Sequence, residues 1–181
     1  MLSRWGLALS LTVTLVVRLG FLAASVEEHF PYFFPHAAEV AERVLTGPSP
    51  YVDPFGWEAS SIACSWACGR GFGNPFGGLT GPTAWIAPGV VALYALPFAA
   101  FGCFSAPAVF AVFFLALGLS LLTCFWLYRL AQFAYGSVAR ATVAALAFAL
   151  LPYEAWLFRV TGHLEFNLTA CGWVGLMLVS L

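Results

Sequence analysis

The stretch PAVFAVFFLALGLSLLTCFWLY, residues 107–128, carries no charged side chain. A transmembrane helix needs about 20 predominantly apolar residues, so this stretch is long enough to cross a bilayer. The whole chain is similar in character, because only 8% of its 181 residues are charged and 62% are hydrophobic. Soluble domains carry about 25% charged residues. The composition therefore predicts an integral membrane protein and excludes disordered, coiled-coil, collagen-like and nucleic-acid-binding proteins.

Three further apolar stretches are candidates for membrane spans, at residues 5–24, 141–158 and 166–181, and the chain end cuts the last one short. We therefore predict an all-α integral membrane protein with about four transmembrane helices in a single membrane domain over residues 1–181. A cleaved signal peptide is the alternative interpretation of the first stretch. Arg18 interrupts its apolar core, which disfavours that alternative.

The few basic residues set the expected orientation of the spans. Arg4 precedes the first span, and Arg129 and Arg140 flank the short loop that follows residues 107–128. The positive-inside rule places both positions in the cytoplasm. The chain then crosses the membrane twice between them, which makes residues 25–106 one large extracytoplasmic loop.

The large loop is expected to contain short juxtamembrane helices. Residues 36–45 carry apolar side chains at helical spacing, which predicts an amphipathic helix on the membrane surface. The run Thr46-Gly47-Pro48 is expected to end it. Residues 88–102 are apolar but short for a span and contain a proline, which favours an interfacial or re-entrant helix that does not cross.

The segment GRGFGNPFGGLTGPTAWIAP, residues 69–88, combines glycine, proline and aromatic residues. Such a segment does not form the interior of a helix or a strand. At membrane depth, irregular backbone is tolerated only where protein or a water-filled cavity surrounds it. The segment therefore predicts either the lining of a site for a polar headgroup or a rigid connector between two helices, and the residues alone leave both open.

Two runs in this segment carry a resemblance: GRGFGNPF at residues 69–76, and TGPTAWIAP at residues 80–88 before an apolar stretch that ends in Phe101-Gly102. Their order resembles bacterial membrane glycosyltransferases of the protein-mannosyltransferase-like kind, in glycosyltransferase family 39 of the GT-C superfamily. The resemblance covers most of the chain and implies the N-terminal portion of a multi-spanning enzyme in the bacterial plasma membrane. Such an enzyme transfers a sugar from a polyprenyl-phosphate donor to an extracytoplasmic acceptor. The sequence indicates no particular cofactor.

The resemblance also implies a carboxylate in the large loop as catalytic base, because the acceptor hydroxyl loses its proton as it attacks. Glu27 and Glu28 follow the first span. Relatives often begin a surface helix with an acidic residue, and in this chain that position falls near His36. Glu39 lies one turn after it. These three glutamates are the candidate bases, and the alternative for each is a solvated surface acid. Residues 48–68 are interpreted as an insertion, because the GRGF turn would usually follow Thr-Gly directly.

Other polar residues are candidates for binding the donor. Arg18, near the outer end of its span, either contacts a donor phosphate or reaches outward to lipid phosphate. Arg70 lies between glycines and offers a guanidinium that can bind phosphate bidentately. The expected substrate-binding residues are Arg18, His36, Arg70, Thr83, Trp85 and Glu165.

The cysteines allow a Cys64–Cys68 disulfide on the oxidising side of the membrane, although a CxxxC pair on a helix has awkward geometry for it. Zinc is not expected without a second cysteine pair, so no metal site is predicted. Cys103, Cys124 and Cys171 lie in or near apolar stretches and are expected to be small core residues.

Two other classes of protein stay open. A non-catalytic relative or small subunit would use small residues such as Ala141 and Ala145 to pack against other membrane subunits. A transporter or channel fragment would place ionisable groups at mid-membrane, whereas here they gather at one face. The expected partners are the lipid bilayer, a polyprenyl-phosphate sugar and, for the small subunit, other membrane proteins, with no nucleic acid.

Overall fold

The computed structural model describes residues 2–33, 37–46, 57–76, 80–84, 86–151 and 164–180. Within these ranges the chain forms seven α-helices and no β-strand, which confirms an all-α fold for the described residues. The helices are α1 (Leu2–Phe33), α2 (Ala37–Thr46), α3 (Trp57–Ala67), α4 (Pro88–Phe101), α5 (Ala106–Tyr135), α6 (Val138–Leu150) and α7 (Leu164–Val179).

Two helices of the described chain are long and apolar enough to cross a membrane. The apolar part of α1, Trp5–Ala24, has 20 residues, and α5 has 30. At 1.5 Å per residue α5 is about 45 Å long, which exceeds a hydrocarbon core of about 30 Å. The other apolar helices, α4, α6 and α7, are shorter. The structure thus gives some support to membrane association, and the four-span arrangement stays a prediction.

Helices α1, α5 and α6 pack side by side, and α5 runs in the opposite direction to the other two. Near the start of α1, Gly6 lies so close to α6 that an added Cβ would overlap the Thr142 hydroxyl, and Tyr128 of α5 is the next neighbour. Farther along, Thr14 Oγ1 donates to Cys124 Sγ at 3.3 Å. The start of α1, the end of α5 and the start of α6 therefore share one end of the bundle. The positive-inside rule likewise places these three chain positions together.

Helix α7 runs parallel to α5. Ser120 Oγ donates to Asn167 Oδ1 at 2.8 Å, which joins the two helices through a buried polar pair. Two turns later, Gly175 faces the ring of Trp126, and a Cβ added there would overlap the ring. A small residue at this position lets the two backbones approach closely.

Helix α5 has recognisable signals at both ends. The hydroxyl of Ser105 accepts a hydrogen bond from the Ala108 backbone N–H, so Ser105 is the N-cap. The helix ends at Tyr135, and the next residue, Gly136, adopts the left-handed conformation with φ 59°. Glycine is the usual residue there because a Cβ is unfavourable at positive φ.

Helix α6 is shorter than the predicted span at residues 141–158. It has 13 residues and ends at Leu150, so it is about 20 Å long. Leu151 is extended, with φ −58° and ψ 114°. The residue after it is Pro152, whose ring disfavours the helical conformation in the residue before it. Residues 152–163 lie outside the described residues.

The two short helices predicted in the large loop are both present. Helix α2 buries Val40 and Val44 and exposes its acidic and basic side chains, which confirms an amphipathic helix. Helix α4 begins at Pro88, where proline is well tolerated, and has 14 residues, or about 21 Å. It is shorter than a bilayer core of about 30 Å. The position of both helices relative to the membrane stays a prediction.

Two hydrophobic clusters hold these elements together. The larger cluster packs α2, α3, α4 and the first half of α5 around buried aromatic residues, including Tyr94, Phe98 and Phe113. The smaller cluster joins the second half of α5 to α6 and to the start of α1. The first cluster positions the glycine-rich segment, because α3 leads directly into that segment.

Candidate functional site

The glycine-rich segment forms a hairpin, here called the glycine hairpin and defined as residues 69–76 and 80–84. Its two arms are joined by an isolated antiparallel bridge between Gly73 and Pro82. Thr83 N donates to Phe72 O at 3.3 Å. In its described residues the segment is neither helix nor strand interior, as the sequence predicts. The hairpin is also held in a defined conformation by hydrogen bonds between its arms.

Asn74 is the central residue of the glycine hairpin. Its backbone N–H donates to Gly81 O at 2.8 Å, and its side-chain Oδ1 accepts from Gly81 N at 3.1 Å. Its Nδ2 donates to Ser65 Oγ on α3 at 3.2 Å. Asn74 adopts φ 62°, a left-handed conformation that asparagine tolerates better than most side chains do. One side chain therefore ties both arms together and fixes them to α3.

Gly73 shows why the hairpin needs glycine at this position. A Cβ added to Gly73 would lie 2.7 Å from the carbonyl oxygen of Gly81 and 3.2 Å from Cα of Pro82. Both are backbone atoms, so they cannot move aside as the end of a side chain would. The two arms can approach this closely only because Gly73 has no side chain.

Two contacts attach the hairpin to the helices before it. Arg70 Nη1 donates to Leu45 O in the last turn of α2 at 2.7 Å, and arginine commonly bonds the carbonyls at a helix C-terminus in this way. The rings of Trp66 on α3 and Phe72 on the hairpin meet edge to face, with their centroids 5.8 Å apart. Arg70 thus has a structural contact in addition to its predicted role in binding phosphate.

An apolar groove of about 270 Å³ lies between α3 and α4. Apart from Trp66 and Leu96 its walls are alanines, and the lining residues are Trp66, Ala67, Ala92, Ala95, Leu96 and Ala99. Trp66 belongs to both features, because it lines the groove and also contacts Phe72 of the hairpin. A polar, glycine-rich turn and an apolar groove therefore adjoin each other.

The helix that leads into the hairpin is α3. Within residues 48–68, which the resemblance implies are an insertion, residues 57–67 form a helix whose last turn continues into Gly69. The acidic residue in the first turn of that helix is Glu58, which is half-buried. Glu58 thus lies at the start of the helix that leads into the hairpin, a position that the sequence motifs do not single out.

A sequence signal for α3 was present. Ala59, Ile62 and Ala63 are all buried, and their spacing of three and four residues is helical. Gly69 then follows as a helix stop signal and adopts φ 75°. This pattern is short and has few charges to contrast with the apolar positions, which explains why it was passed over.

The candidate bases lie on two helices. Glu27 and Glu28 fall within α1, because that helix continues to Phe33 well beyond the predicted end of the span, and their side chains lie outside the described residues. Glu39 is exposed in the first turn of α2, on the face opposite the buried Val40 and Val44. That position agrees with the alternative of a solvated surface acid.

Of the other predicted substrate-binding residues, two lie outside the described residues, and a third is described only in its backbone. His36 and Trp85 lie outside the described residues. Glu165 is in the first turn of α7, and its side chain is likewise outside them. Thr83 belongs to the second arm of the glycine hairpin, where its backbone bonds Phe72.

Arg18 faces the interior of the helix bundle. Its side chain has 0% exposure, and its guanidinium carbon lies 5.8 Å from the centroid of the Phe148 ring on α6. Ser10 and Thr14 precede it at four-residue intervals and are equally buried, so one polar stripe of α1 points inward. In this structure Arg18 therefore does not reach outward to lipid phosphate, and its contact with a donor phosphate stays a prediction. A buried cation over an aromatic face is stabilised by the ring quadrupole.

The cysteine pairing differs from the expected one. Cys64 of α3 is bonded to Cys103, in the turn between α4 and α5, with their Cα atoms 5.5 Å apart. This separation is typical of disulfides, whereas Cys64 and Cys68 lie one turn apart on the same helix face. The structure thus contradicts a Cys64–Cys68 bond and a simple core role for Cys103. Cys124 and Cys171 are buried free cysteines, as predicted.

Comparison of the chain with protein families, with curated protein sequences and with solved structures finds no match in any of the three. The class of protein therefore follows from the fold and the site alone. The described chain is an all-helical protein with two helices that can cross a membrane. A hydrogen-bonded glycine hairpin lies beside an apolar groove between α3 and α4.

Proposed function

We propose that this protein is a membrane glycosyltransferase that transfers a sugar from a polyprenyl-phosphate donor to an extracytoplasmic acceptor. The supporting observation is the shared position of Trp66, which joins the glycine hairpin to the apolar groove. A lipid-linked sugar has a polar headgroup and a long apolar chain. The groove offers apolar surface for the chain, and the hairpin beside it carries the exposed guanidinium of Arg70 for the headgroup.

Arg70 is the proposed contact for the donor phosphate. It is exposed at the start of the hairpin, and the Leu45 carbonyl holds one of its nitrogens. This bond restricts the guanidinium before any ligand arrives, which lowers the entropy lost on binding. Guanidinium groups bind phosphate through charge-assisted hydrogen bonds, which are stronger than neutral ones.

The proposed base is one of Glu27, Glu28 and Glu58. Glu58 is half-buried at the start of α3, the helix that positions the hairpin. Glu39 is disfavoured, because it lies on the exposed face of α2.

The proposed orientation places the hairpin outside the cell. Cys68, at the base of the hairpin, lies 3.8 Å from Cys103, which precedes the start of α5. From Ala106 to Arg129, α5 rises about 35 Å, more than the thickness of a hydrocarbon core of about 30 Å. If α5 crosses the membrane, the hairpin and the basic loop after α5 are therefore on opposite sides.

The proposal is tested by measuring sugar transfer from polyprenyl-phosphate sugars in membranes that contain the full-length protein. Glu27→Gln, Glu28→Gln and Glu58→Gln are compared with Glu42→Gln, a matched change of an exposed α2 acid. We expect one of the first three to lower turnover by about 100-fold or more, the usual contribution of a general base. Glu42→Gln should retain the wild-type rate.

Two results would count against the proposal. If wild-type membranes transfer no sugar from any polyprenyl-phosphate donor, the protein is better explained as a non-catalytic relative or small subunit. If transfer occurs but all three variants keep the wild-type rate, the enzyme class survives and the choice of base is wrong.

A further inference from the structure

Three cysteine sulfurs converge beside the glycine hairpin. The Sγ atoms of Cys64, Cys68 and Cys103 all lie within 4.8 Å of one another. Cys64 and Cys68 are one helical turn apart, and the backbone N–H of Cys68 bonds to the Cys64 carbonyl at 3.0 Å. Cys103 reaches the same point from the turn between α4 and α5. The Cys64–Cys103 disulfide joins two separate parts of the fold, and the free thiol of Cys68 lies beside that bond.

The arrangement is triangular. For Cys68 to attack Cys103 in line, the three sulfurs would have to lie on one straight line. Cys68 Sγ would then be about 5.8 Å from Cys64 Sγ, because its 3.8 Å distance to Cys103 Sγ adds to a disulfide bond length of about 2.05 Å. The observed separation is at most 4.8 Å. In this structure Cys68 is therefore not aligned to attack Cys103 and displace Cys64.

The spacing suits a thiolate-bound metal ion. Sulfurs that bind one ion at about 2.3 Å are separated by about 3.8 Å at a tetrahedral angle and by about 4.0 Å in a trigonal plane. Cys68 Sγ and Cys103 Sγ are 3.8 Å apart, whereas the sulfurs of Cys64 and Cys103 are joined as a disulfide and reach this spacing only after that bond is reduced. In the described part of the chain, the group contains three ligands and no fourth histidine, cysteine or carboxylate. Structural zinc sites almost always have four ligands, whereas soft thiolate donors also select copper(I).

We propose that Cys64, Cys68 and Cys103, in the reduced protein, bind one copper(I) ion through three thiolates. The Cys64–Cys103 disulfide and the bound ion exclude each other, because both use the same sulfurs. Reduction of the disulfide takes two electrons and two protons, which a dithiol supplies as it becomes a disulfide itself. The three thiols then release three protons as the cation binds. The site is thus available only in the reduced chain, whereas the disulfide is the form expected on the oxidising side of the membrane, where the proposed function places the cluster.

The position of the site gives it a structural consequence. Cys68 immediately precedes the glycine hairpin, and Cys103 lies in the turn before α5. Either the disulfide or the metal ion therefore links α3 to the α4–α5 turn at the base of the hairpin. Cys68 is exposed and Cys64 is fully buried, so solvent reaches the cluster from the Cys68 side.

The test uses the full chain in detergent, reduced with a phosphine and kept free of oxygen after the phosphine is removed. Copper(I) is titrated in competition with a chromogenic chelator, and X-ray absorption at the copper edge counts the sulfur ligands. We expect one copper(I) per reduced chain, bound by three sulfurs, and no binding at the cluster in the oxidised chain.

Cys68→Ser is the decisive variant. Its association constant for copper(I) should fall by more than about 100-fold, because loss of an outer-shell partner alone costs about 10–100-fold. Cys68 is exposed, so the change leaves the packed interior intact. Cys171→Ser, at a buried free cysteine away from the cluster, should bind copper(I) as the wild type does.

Three outcomes would overturn the proposal. The first is wild-type affinity in the Cys68→Ser protein. The second is equal copper binding by the oxidised and reduced chains. The third is displacement of copper(I) by zinc(II) in direct competition, which would assign a four-coordinate site to a different cation.

Discussion

Replacing Asn74 with alanine should open the glycine hairpin without unfolding the helices. Asn74→Ala removes the bond from Gly81 N to Oδ1 and the bond from Nδ2 to Ser65 Oγ. Each contributes about 0.5–1.5 kcal/mol net. Alanine in the left-handed conformation found at φ 62° costs a further amount of about 1–2 kcal/mol. Together the hairpin loses about 2–5 kcal/mol relative to the rest of the fold.

The assay is hydrogen exchange of the hairpin amides in detergent or nanodiscs. The backbone N–H groups of Asn74 and Thr83 bond across the hairpin, so they report its opening directly. A loss of about 2 kcal/mol corresponds to about 30-fold faster exchange, since every 1.4 kcal/mol is a factor of about ten. Exchange in the middle of α5 should not change.

Asn74→Gly is the matched control. It removes the same two side-chain bonds but tolerates positive φ, so it should accelerate exchange less than Asn74→Ala does. If exchange at Asn74 and Thr83 stays within about threefold of wild type in the alanine variant, Asn74 does not hold the hairpin and the reasoning is refuted.

Three further changes test other contacts. Gly73→Ala should also accelerate hairpin exchange, because its Cβ would meet backbone atoms of the opposite arm. Gly175→Ala should lower the free energy of unfolding by about 1–3 kcal/mol in a detergent titration, because the added methyl group would be overpacked against a tryptophan ring. Gly172→Ala on the same helix is the control and should have little effect, because its methyl group would meet no atom within 4 Å. A double-mutant cycle of Arg18→Met and Phe148→Leu should give a coupling of about 0.5–2 kcal/mol, and a coupling near zero would contradict the cation–π contact.

Local patterns carried much of the fold prediction. The spacing of Val40 and Val44 predicts α2, and both residues are buried in the structure. The short apolar run with Pro88 at its start predicts α4. For α2 the physical cause is local, because a helix that buries one face repeats its apolar residues every three or four positions, whereas α4 is apolar on all sides and is recognised by its composition. The uncharged run inside α5 is recognisable for a similar reason.

Features that depend on distant parts of the chain were not predictable. The partner of Cys64 lies 39 residues away, and spacing alone does not determine which cysteines pair. The inward direction of Arg18 depends on where α6 places Phe148. Glu58 was missed because its helix was interpreted as an insertion between two recognisable motifs. The candidate site therefore required the fold, whereas its glycine hairpin could be located from sequence.

The most direct test of the account is the sidedness of the hairpin and the basic loop. Thr80→Cys and Arg129→Cys, both at exposed positions, are each placed in a Cys68→Ser background and treated with a membrane-impermeant maleimide in sealed vesicles of known orientation. We predict that the Thr80→Cys protein reacts from the extracytoplasmic side and that the Arg129→Cys protein reacts from the cytoplasmic side. Labelling of both proteins from the same side would contradict a membrane-spanning α5 and, with it, the proposed extracytoplasmic site.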